Sequence, residues 1–343
     1  MPLLPTTTPT HTNSRKETIM PLIYVTSPIH ADVLEALSTV GEVRLGYGPH
    51  AVPYAEIQSQ VDAVFLRGGH IAAEMIAASP NLRIVARHGA GYDNVDHKAA
   101  AERGVWVTNT PGANRRSVVE HVFALLLGIS RKIQLTTDQT RNNIWAQDRL
   151  SLTGIELEGR TLGLIGFGDI GRHVAPVAEA FGMKVLATDP AYDSSFDKRL
   201  VDLDTLLANA DVVSLHVPLQ EGTQNLIGSK EIEKMKTGAI LINTSRGGVI
   251  DEAAVADALR SGKLGGAGVD VLNAENTDMI TPFSCNTFPI ADLPNLLVTP
   301  HVAGQTNESL LRVGMSAVEA IAAVLRGDNP EHPVNKPVFK SFN

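Results

Sequence analysis

Three polar side chains stand where apolar runs stop in the second half of the chain: Arg246 in NTSRGGVID, Glu275 in GVDVLNAE and His301 in VTPHVAGQT. An imidazole exchanges a proton near neutral pH, a carboxylate behind it orients and charges it, and a guanidinium fork grips a substrate carboxylate. Lysine presents no such fork. Together the three supply what proton exchange at an alcohol or carbonyl carbon beside a carboxylate requires. Earlier in the chain, Arg67-Gly68-Gly69-His70 and Arg87-His88-Gly89-Ala90-Gly91 set two further arginines at glycine turns after strands, where α/β folds bind ligands.

The partner for that chemistry is written between Thr161 and Asp189, TLGLIGFGDIGRHVAPVAEAFGMKVLATD. Thr161 to Ile165 reads as a buried parallel strand, and Gly166, Phe167, Gly168, Asp169, Ile170 and Gly171 follow as G-x-G-x-x-G. Gly166 permits the tight turn, Gly168 admits a pyrophosphate to the backbone, and Gly171 lets helix and strand pack closely, with the first helical N–H groups facing the anion. Lys184 to Thr188 reads as a second strand ending in Asp189, placed to accept hydrogen bonds from a ribose diol and to repel a 2′-phosphate. The expected cofactor is NAD rather than NADP, and the expected chemistry is hydride transfer.

Around this unit the chain alternates strands and helices. LIYVTS, EVRLG, AVFLR, LRIVARHG and GVWVTNT read as strands with ADVLEALSTV, AAEMIAAS and NVDHKAAAERG as helices between them, a first α/β unit without a dinucleotide fingerprint. Ser117 to Ile133 reads as a buried linking helix, and residues 134 to 160 as an irregular arm across a neighbour or another subunit. Asp211 to Val217, Ala239 to Ser245, Gly266 to Val271 and Asn295 to Thr299 complete a second doubly wound sheet, and Asn307 to Arg326 is an amphipathic helix able to return the chain to the first unit.

Composition narrows the classes. With 343 residues, 43% of them hydrophobic, the chain suits two domains, and a net charge of −8 with scattered basic residues argues against nucleic acid or an anionic membrane as partner. The one cysteine, Cys285, excludes an internal disulfide and the usual zinc clusters, so no metal is expected and the cytoplasm is the expected compartment. Residues 1–20, rich in Thr and Pro, read as a disordered tail, with Met20 a candidate start.

NTSRGG, GVDV followed by Glu, TPH-x-AG-x-T and HVPL together resemble the NAD-dependent D-2-hydroxyacid dehydrogenases, in particular their phosphoglycerate dehydrogenase and hydroxypyruvate or glyoxylate reductase branch, from about Pro21 to Asn335. The resemblance implies two Rossmann-like doubly wound parallel-sheet domains: a discontinuous substrate domain over 21–116 and 306–337, and an NAD-binding domain over 117–305, through which two copies dimerise. It also implies that Arg246 anchors substrate, Glu275 charges the imidazole and His301 is the acid/base. For the cofactor it implies Gly166, Gly168, Asp169, Ile170 and Gly171 at the pyrophosphate, Asp189 at the ribose, and His216, Val217, Pro218 and Thr223 along the adenosine side. Thr244, Ser245, Asp270, Ala303 and Gly304 fall to the nicotinamide half, and Arg67, Gly68, Gly69, Arg87 and Gly89 to the substrate. Asn276 stands where the family usually has proline, and the stretch to Asp292 is long, which loosens the inference about substrate. No regulatory domain is expected beyond residue 343. Hydroxypyruvate or glyoxylate is the substrate expected first. D-3-phosphoglycerate stays an alternative, as does an NAD-sensing protein similar to dehydrogenase-like corepressors. A formate-type reaction is disfavoured, because it needs no acid/base.

Overall fold

Short apolar runs separated by helices can pair only in parallel, since each crossover carries the chain back to the same end of the sheet. The computed structural model describes residues 20–145, 148–276 and 281–338, so the expected tail at 1–19 lies outside the described residues. The first unit contains β1 (Leu22–Val25), α1 (Ala31–Val40), β2 (Glu42–Leu45), α2 (Tyr54–Ile57), β3 (Ala63–Leu66), α3 (Ala73–Ala77), β4 (Ile84–Arg87), α4 (His97–Glu102) and β5 (Trp106–Thr108). Two helices follow, α5 (Arg115–Ser130) and α6 (Ile133–Arg141). The second unit contains β6 (Thr161–Ile165), α7 (Asp169–Ala180), β7 (Lys184–Thr188), α8 (Leu203–Asn209), β8 (Val212–Leu215), α9 (Ser229–Lys234) and β9 (Ala239–Asn243). It closes with α10 (Glu252–Ser261), β10 (Leu264–Val269) and β11 (Leu296–Val298), before α11 (Asn307–Arg326).

Both sheets are parallel, in the orders β2-β1-β3-β4-β5 and β11-β10-β9-β8-β6-β7. Each order reverses beside its first strand, so the loops after β1 and β3, and after β6 and β8, diverge and leave a crevice at the strands' carboxyl ends. Central strands are covered on both faces, and β3, β8 and β9 are buried throughout, which is why they read as unbroken apolar runs. Helix α5 packs on α7, β9 and β10, while α11 returns to pack on α1 and β4. Asp251 caps α10 through the amides of Ala253 and Ala254, Thr306 caps α11 at Ser309, and both helices stop at left-handed glycines, Gly262 and Gly327.

One expectation needs correction. Residues 134 to 160 read as irregular in the sequence, yet Ile133–Arg141 is helical. Lys132 in a left-handed conformation, φ 52° and ψ 38°, ends α5 and starts α6, so the linking helix also stops at Ser130 rather than Ile133. The Thr136 and Thr140 hydroxyls bond back to the carbonyls of Lys132 and Thr136, so α6 satisfies its polar groups while burying no residue, and it left no apolar period to read. Beyond it Trp145 and Leu150 stand exposed. No helix among the described residues is long and apolar enough to cross a membrane.

The return of α11 depends on Gly314, where a Cβ would stand 2.4 Å from a Val33 methyl of α1. Gly314→Ala should therefore destabilise the first unit by roughly 1–3 kcal/mol through overpacking, against a helix-propensity gain of about 1 kcal/mol. Denaturant melts of Gly314→Ala with and without Val33→Ala check this: the loss should shrink when the methyls are removed, and a stabilised Gly314→Ala would show that the helices have room.

Candidate active site

The end of β10 and the loop after β11 build the centre of the site. Asp270 follows β10, its carboxylate has no exposure to solvent, and it accepts from Thr299 Oγ1 at 2.5 Å, Val302 N at 2.9 Å and Ala303 N at 2.8 Å. His121 of α5 approaches the same carboxylate at 3.4 Å and bonds Thr299 Oγ1 at 2.9 Å. Burial pushes the Asp270 carboxyl up, but these hydrogen bonds outweigh it and hold it below the usual carboxylate range. The loop so tied includes His301, whose left-handed φ of 53° costs a residue with a β-carbon roughly 1–2 kcal/mol. Its amide N donates to the Asp270 carbonyl at 2.8 Å.

His301 Nδ1 lies 2.5 Å from Glu275 Oε2. A carboxylate only accepts, so Nδ1 carries the proton and Nε2 is the free nitrogen. The other Glu275 oxygen accepts from Leu272 N at 2.7 Å, which fixes the carboxylate to its own short helical turn. Arg246 follows β9: Asn243 Nδ2 donates to its carbonyl at 2.9 Å, and Asn243 Oδ1 accepts from Ser245 N at 3.0 Å and from the Ser245 hydroxyl at 2.8 Å. The Arg246 guanidinium reaches Asp93 of the first unit at 2.8 Å.

These groups share one cleft of about 1510 Å³ between the two units, more than the 300–1,000 Å³ typical of a drug-sized ligand. Arg67, Gly68, Arg87, His88 and Gly89 line its first-unit wall; Ile170, His216, Val217, Pro218, Thr244, Ser245, Ala303 and Gly304 line the wall opposite. Arg67 donates to the Pro28 carbonyl and, at 2.6 Å, to Gln305 Oε1. Arg87 donates to the His88 carbonyl and, at 3.1 Å, to Asn94 Oδ1; burial, with Arg246 nearby, pushes its guanidinium down to about 10. Burial beside Arg67 and Arg87 pushes His88 down to about 4. The Thr244 hydroxyl is buried with no hydrogen-bond partner among the described residues, and Thr244 lines the cleft.

Gly166, Gly168, Asp169, Gly171, Asp189 and Thr223 lie outside the cleft lining, as does Gly69. The glycine turn is as its sequence requires: Gly166 has φ +97°, a Cβ on Gly171 would stand 2.2 Å from the Gly166 carbonyl, and one on Gly168 would meet open space. Asp189 receives Phe167 N at 2.8 Å and Ala191 N at 2.9 Å. Asp169 is paired with Arg115 at 2.8 Å, and the Thr223 hydroxyl closes its own loop by donating to the Pro218 carbonyl and accepting from Gln220 N. Burial pushes His216 down to about 4, and its Nε2 lies 3.0 Å from the Ser214 hydroxyl.

Sequence reasoning missed Asp93, His121, Thr299 and Gln305. Two carried a signal: His121 breaks the apolar run VVEHVFALLL, and Asp93 stands two residues after Gly91 of the glycine turn that follows Arg87.

Residues 123–303 match the family model of the D-isomer specific 2-hydroxyacid dehydrogenase NAD-binding domain. The chain is similar to a hydroxypyruvate reductase of Thermotoga maritima, 44% identical over 78% of this chain and 85% of that protein. It is 38% identical to a D-3-phosphoglycerate dehydrogenase of Archaeoglobus fulgidus over 92% of this chain, and spans 59% of that relative's length. A solved structure of a Thermus thermophilus protein superposes with a TM-score of 0.81, 35% identical and covering 92% of this chain and all of that one.

Asp270→Asn should leave buried amides facing an NH2 group and lower stability at pH 7 by about 1–3 kcal/mol. Because the folded carboxyl is depressed, its contribution is complete above the unfolded value near 4 and is lost as pH falls through the folded one. Thermal melts of wild type and variant should differ by several degrees at pH 7, and the gap should narrow as pH falls below the unfolded value; a pH-independent gap would deny that the ionised carboxylate stabilises the loop.

Proposed function

The chain belongs to the D-isomer specific 2-hydroxyacid dehydrogenase family, and from that premise we propose that it moves a hydride between NAD and C2 of a small 2-keto or D-2-hydroxy acid, hydroxypyruvate or glyoxylate first. The observation that carries this is the His301–Glu275 pair in one cleft with Arg246, beside a strand-to-helix glycine turn. The turn fits a dinucleotide: Gly168 leaves open space, Asp189 offers a carboxylate at the second strand's end, and the buried Thr244 hydroxyl still requires a polar partner. We assign Gly166, Gly168, Ile170 and Gly171 to the pyrophosphate and Asp189 to the ribose.

NADH, when bound, supplies the hydride. Arg246 grips the substrate carboxylate, and His301 Nε2 gives a proton to the carbonyl oxygen while Glu275, at Nδ1, stabilises the imidazolium beforehand. In the reverse direction Nε2 takes the proton back. Asp270 does its work from behind, by holding the His301 loop. Arg67 and Arg87 add positive charge on the first-unit wall, which favours a substrate with a second polar end. We adopt the division into 21–116 with 306–337 and 117–305, a cytoplasmic location, and a homodimer through the NAD-binding domain, which would cover the exposed Ile144, Trp145 and Leu150.

NADH oxidation assayed with glyoxylate, hydroxypyruvate, phosphohydroxypyruvate and pyruvate tests the reading, and silence on all four would sink it in favour of a sensing role. His301→Ala should lose roughly 10²- to 10⁴-fold in kcat while NADH still binds; an equal loss of cofactor affinity would make His301 structural. Asp189→Ala should weaken NADH about ten- to a hundred-fold, the worth of a charge-assisted hydrogen bond, with NADPH affected far less. Wild-type preference for NADPH would remove Asp189 from the ribose.

A further inference from the structure

Arg246 is held by the opposite unit. Its Nε donates to Asp93 Oδ1 at 3.1 Å and Oδ2 at 3.2 Å, and its Nη2 donates to Oδ1 at 2.8 Å. Nη1 turns back to the Ser245 carbonyl at 2.8 Å. A guanidinium has two edges that can take a carboxylate with paired N–H groups: the side edge of Nε and one Nη, and the end edge of both Nη atoms. Asp93 occupies the side edge. The end edge keeps a donor on each Nη, and Arg246 lines the cleft.

Asp93 is itself braced for this. The next residue, Asn94, donates to the Gly69 carbonyl at 2.7 Å, accepts from Arg87 Nε at 3.1 Å, and receives Ile71 N on its own carbonyl at 3.0 Å. The turn after β4 is thus tied to the loop after β3. On its other side, a Cβ on Gly91 would fall 1.5 Å from Arg246 Nη2, so the guanidinium lies directly on a bare backbone. Any side chain at 91 would push Arg246 away. Geometry on both sides therefore fixes where the guanidinium sits, and both restraints come from the first unit while Arg246 comes from the second.

We propose that Asp93 is a positioning residue for the reaction: it holds the side edge of Arg246 across the cleft, so that the end edge meets the substrate carboxylate only when the two units stand together. Substrate anchoring is thereby coupled to the relative placement of the units. The proposal rests on the 2-keto acid reading above. It differs from an ordinary rim ion pair, which would shift stability slightly and leave turnover alone.

The test compares wild type, Asp93→Ala, Asp93→Asn, Arg246→Lys and the Asp93→Ala/Arg246→Lys double variant. Readouts are kcat and KM for hydroxypyruvate and glyoxylate, NADH affinity by fluorescence, and oxalate affinity for the enzyme–NADH complex. Asp93→Ala should lose about ten- to a hundred-fold in kcat/KM, as expected for a charge-assisted bidentate contact, with NADH affinity within about threefold of wild type. Asp93→Asn keeps one acceptor and should fall between. The double variant should be no worse than Arg246→Lys, because the two side chains act as one unit. A loss under about threefold, or additive losses in the double variant, overturns the proposal, and Asp93→Asn carries the same thresholds should Asp93→Ala not fold. If wild type reduces no 2-keto acid, the function reading fails on its own; the positioning role is then decided by oxalate, about tenfold weaker in Asp93→Asn if it holds and unchanged if it does not.

Discussion

A carboxylate sealed from solvent has to be satisfied by the chain around it, and the site is arranged about one that is. Asp270 follows β10, beside the outermost strand β11 at the second unit's carboxyl edge, and draws in a hydroxyl and two backbone amides from the loop after β11 and an imidazole from α5. Left unpaired, such a charge would destabilise the fold by several kcal/mol; fully paired, it turns a loop into a fixed platform. The left-handed backbone of His301 persists on that platform. Its side chain is then aimed at Glu275 by local geometry rather than by burial, since the imidazole is 43% exposed. In the proposed reaction this gives a proton carrier that is positioned without being closed off from substrate.

The same logic extends to the joint between the units. The chain crosses between the sheets near Gly112 and again near Gly304, and both crossings are held from the second unit: Ser117 Oγ donates to the Ala303 carbonyl at 2.6 Å, and Arg115 pairs with Asp169 at the start of α7. Across the cleft itself the contacts are polar and partly exposed, Arg246 to Asp93 and Arg67 to Gln305. The Arg67 to Gln305 contact, a charge on a neutral amide, can be given up to a ligand anion, while the proposed role of Asp93 keeps its pair with Arg246 in place. Tight crossings with a polar cleft are what two rigid units that move relative to each other about a ligand require.

Much of this was legible in the residues. Every strand among the described residues was located to within a few residues from its apolar or alternating run, the half-exposed β2 as EVRLG included, and the helices α1 and α11 to their observed bounds. The glycine turn was readable because each glycine has its own steric reason, as the 2.2 Å approach of a Gly171 Cβ to the Gly166 carbonyl shows. Helix α6 was not, because it buries no residue and leaves no period. Nor were the partners legible: that Asp169 would meet Arg115, or Arg246 meet Asp93, depends on packing between segments 54 and 153 residues apart. Residue type announces what a group can do, whereas tertiary contact decides what it is left free to do.

Charge within the cleft shows this most directly. Arg87 is pushed down to about 10, first by burial and then by Arg246 and Arg67, so three guanidinium groups stand near enough to disfavour one another. Asp93, held below the usual carboxylate range against its own burial by the Arg246 hydrogen bond and charge, offsets part of that repulsion. His88 lies beside the same arginines and is pushed down to about 4, so at neutral pH it adds no further cation. His301 stands instead against Glu275. These two imidazoles of one cleft thus have opposite neighbours: His88 is kept neutral by burial and cations, whereas His301 Nδ1 is bonded to a carboxylate. In the proposed reaction the proton for the carbonyl oxygen comes from His301 and not from His88, and the excess of positive charge on the wall around His88 attracts the anionic end of the substrate.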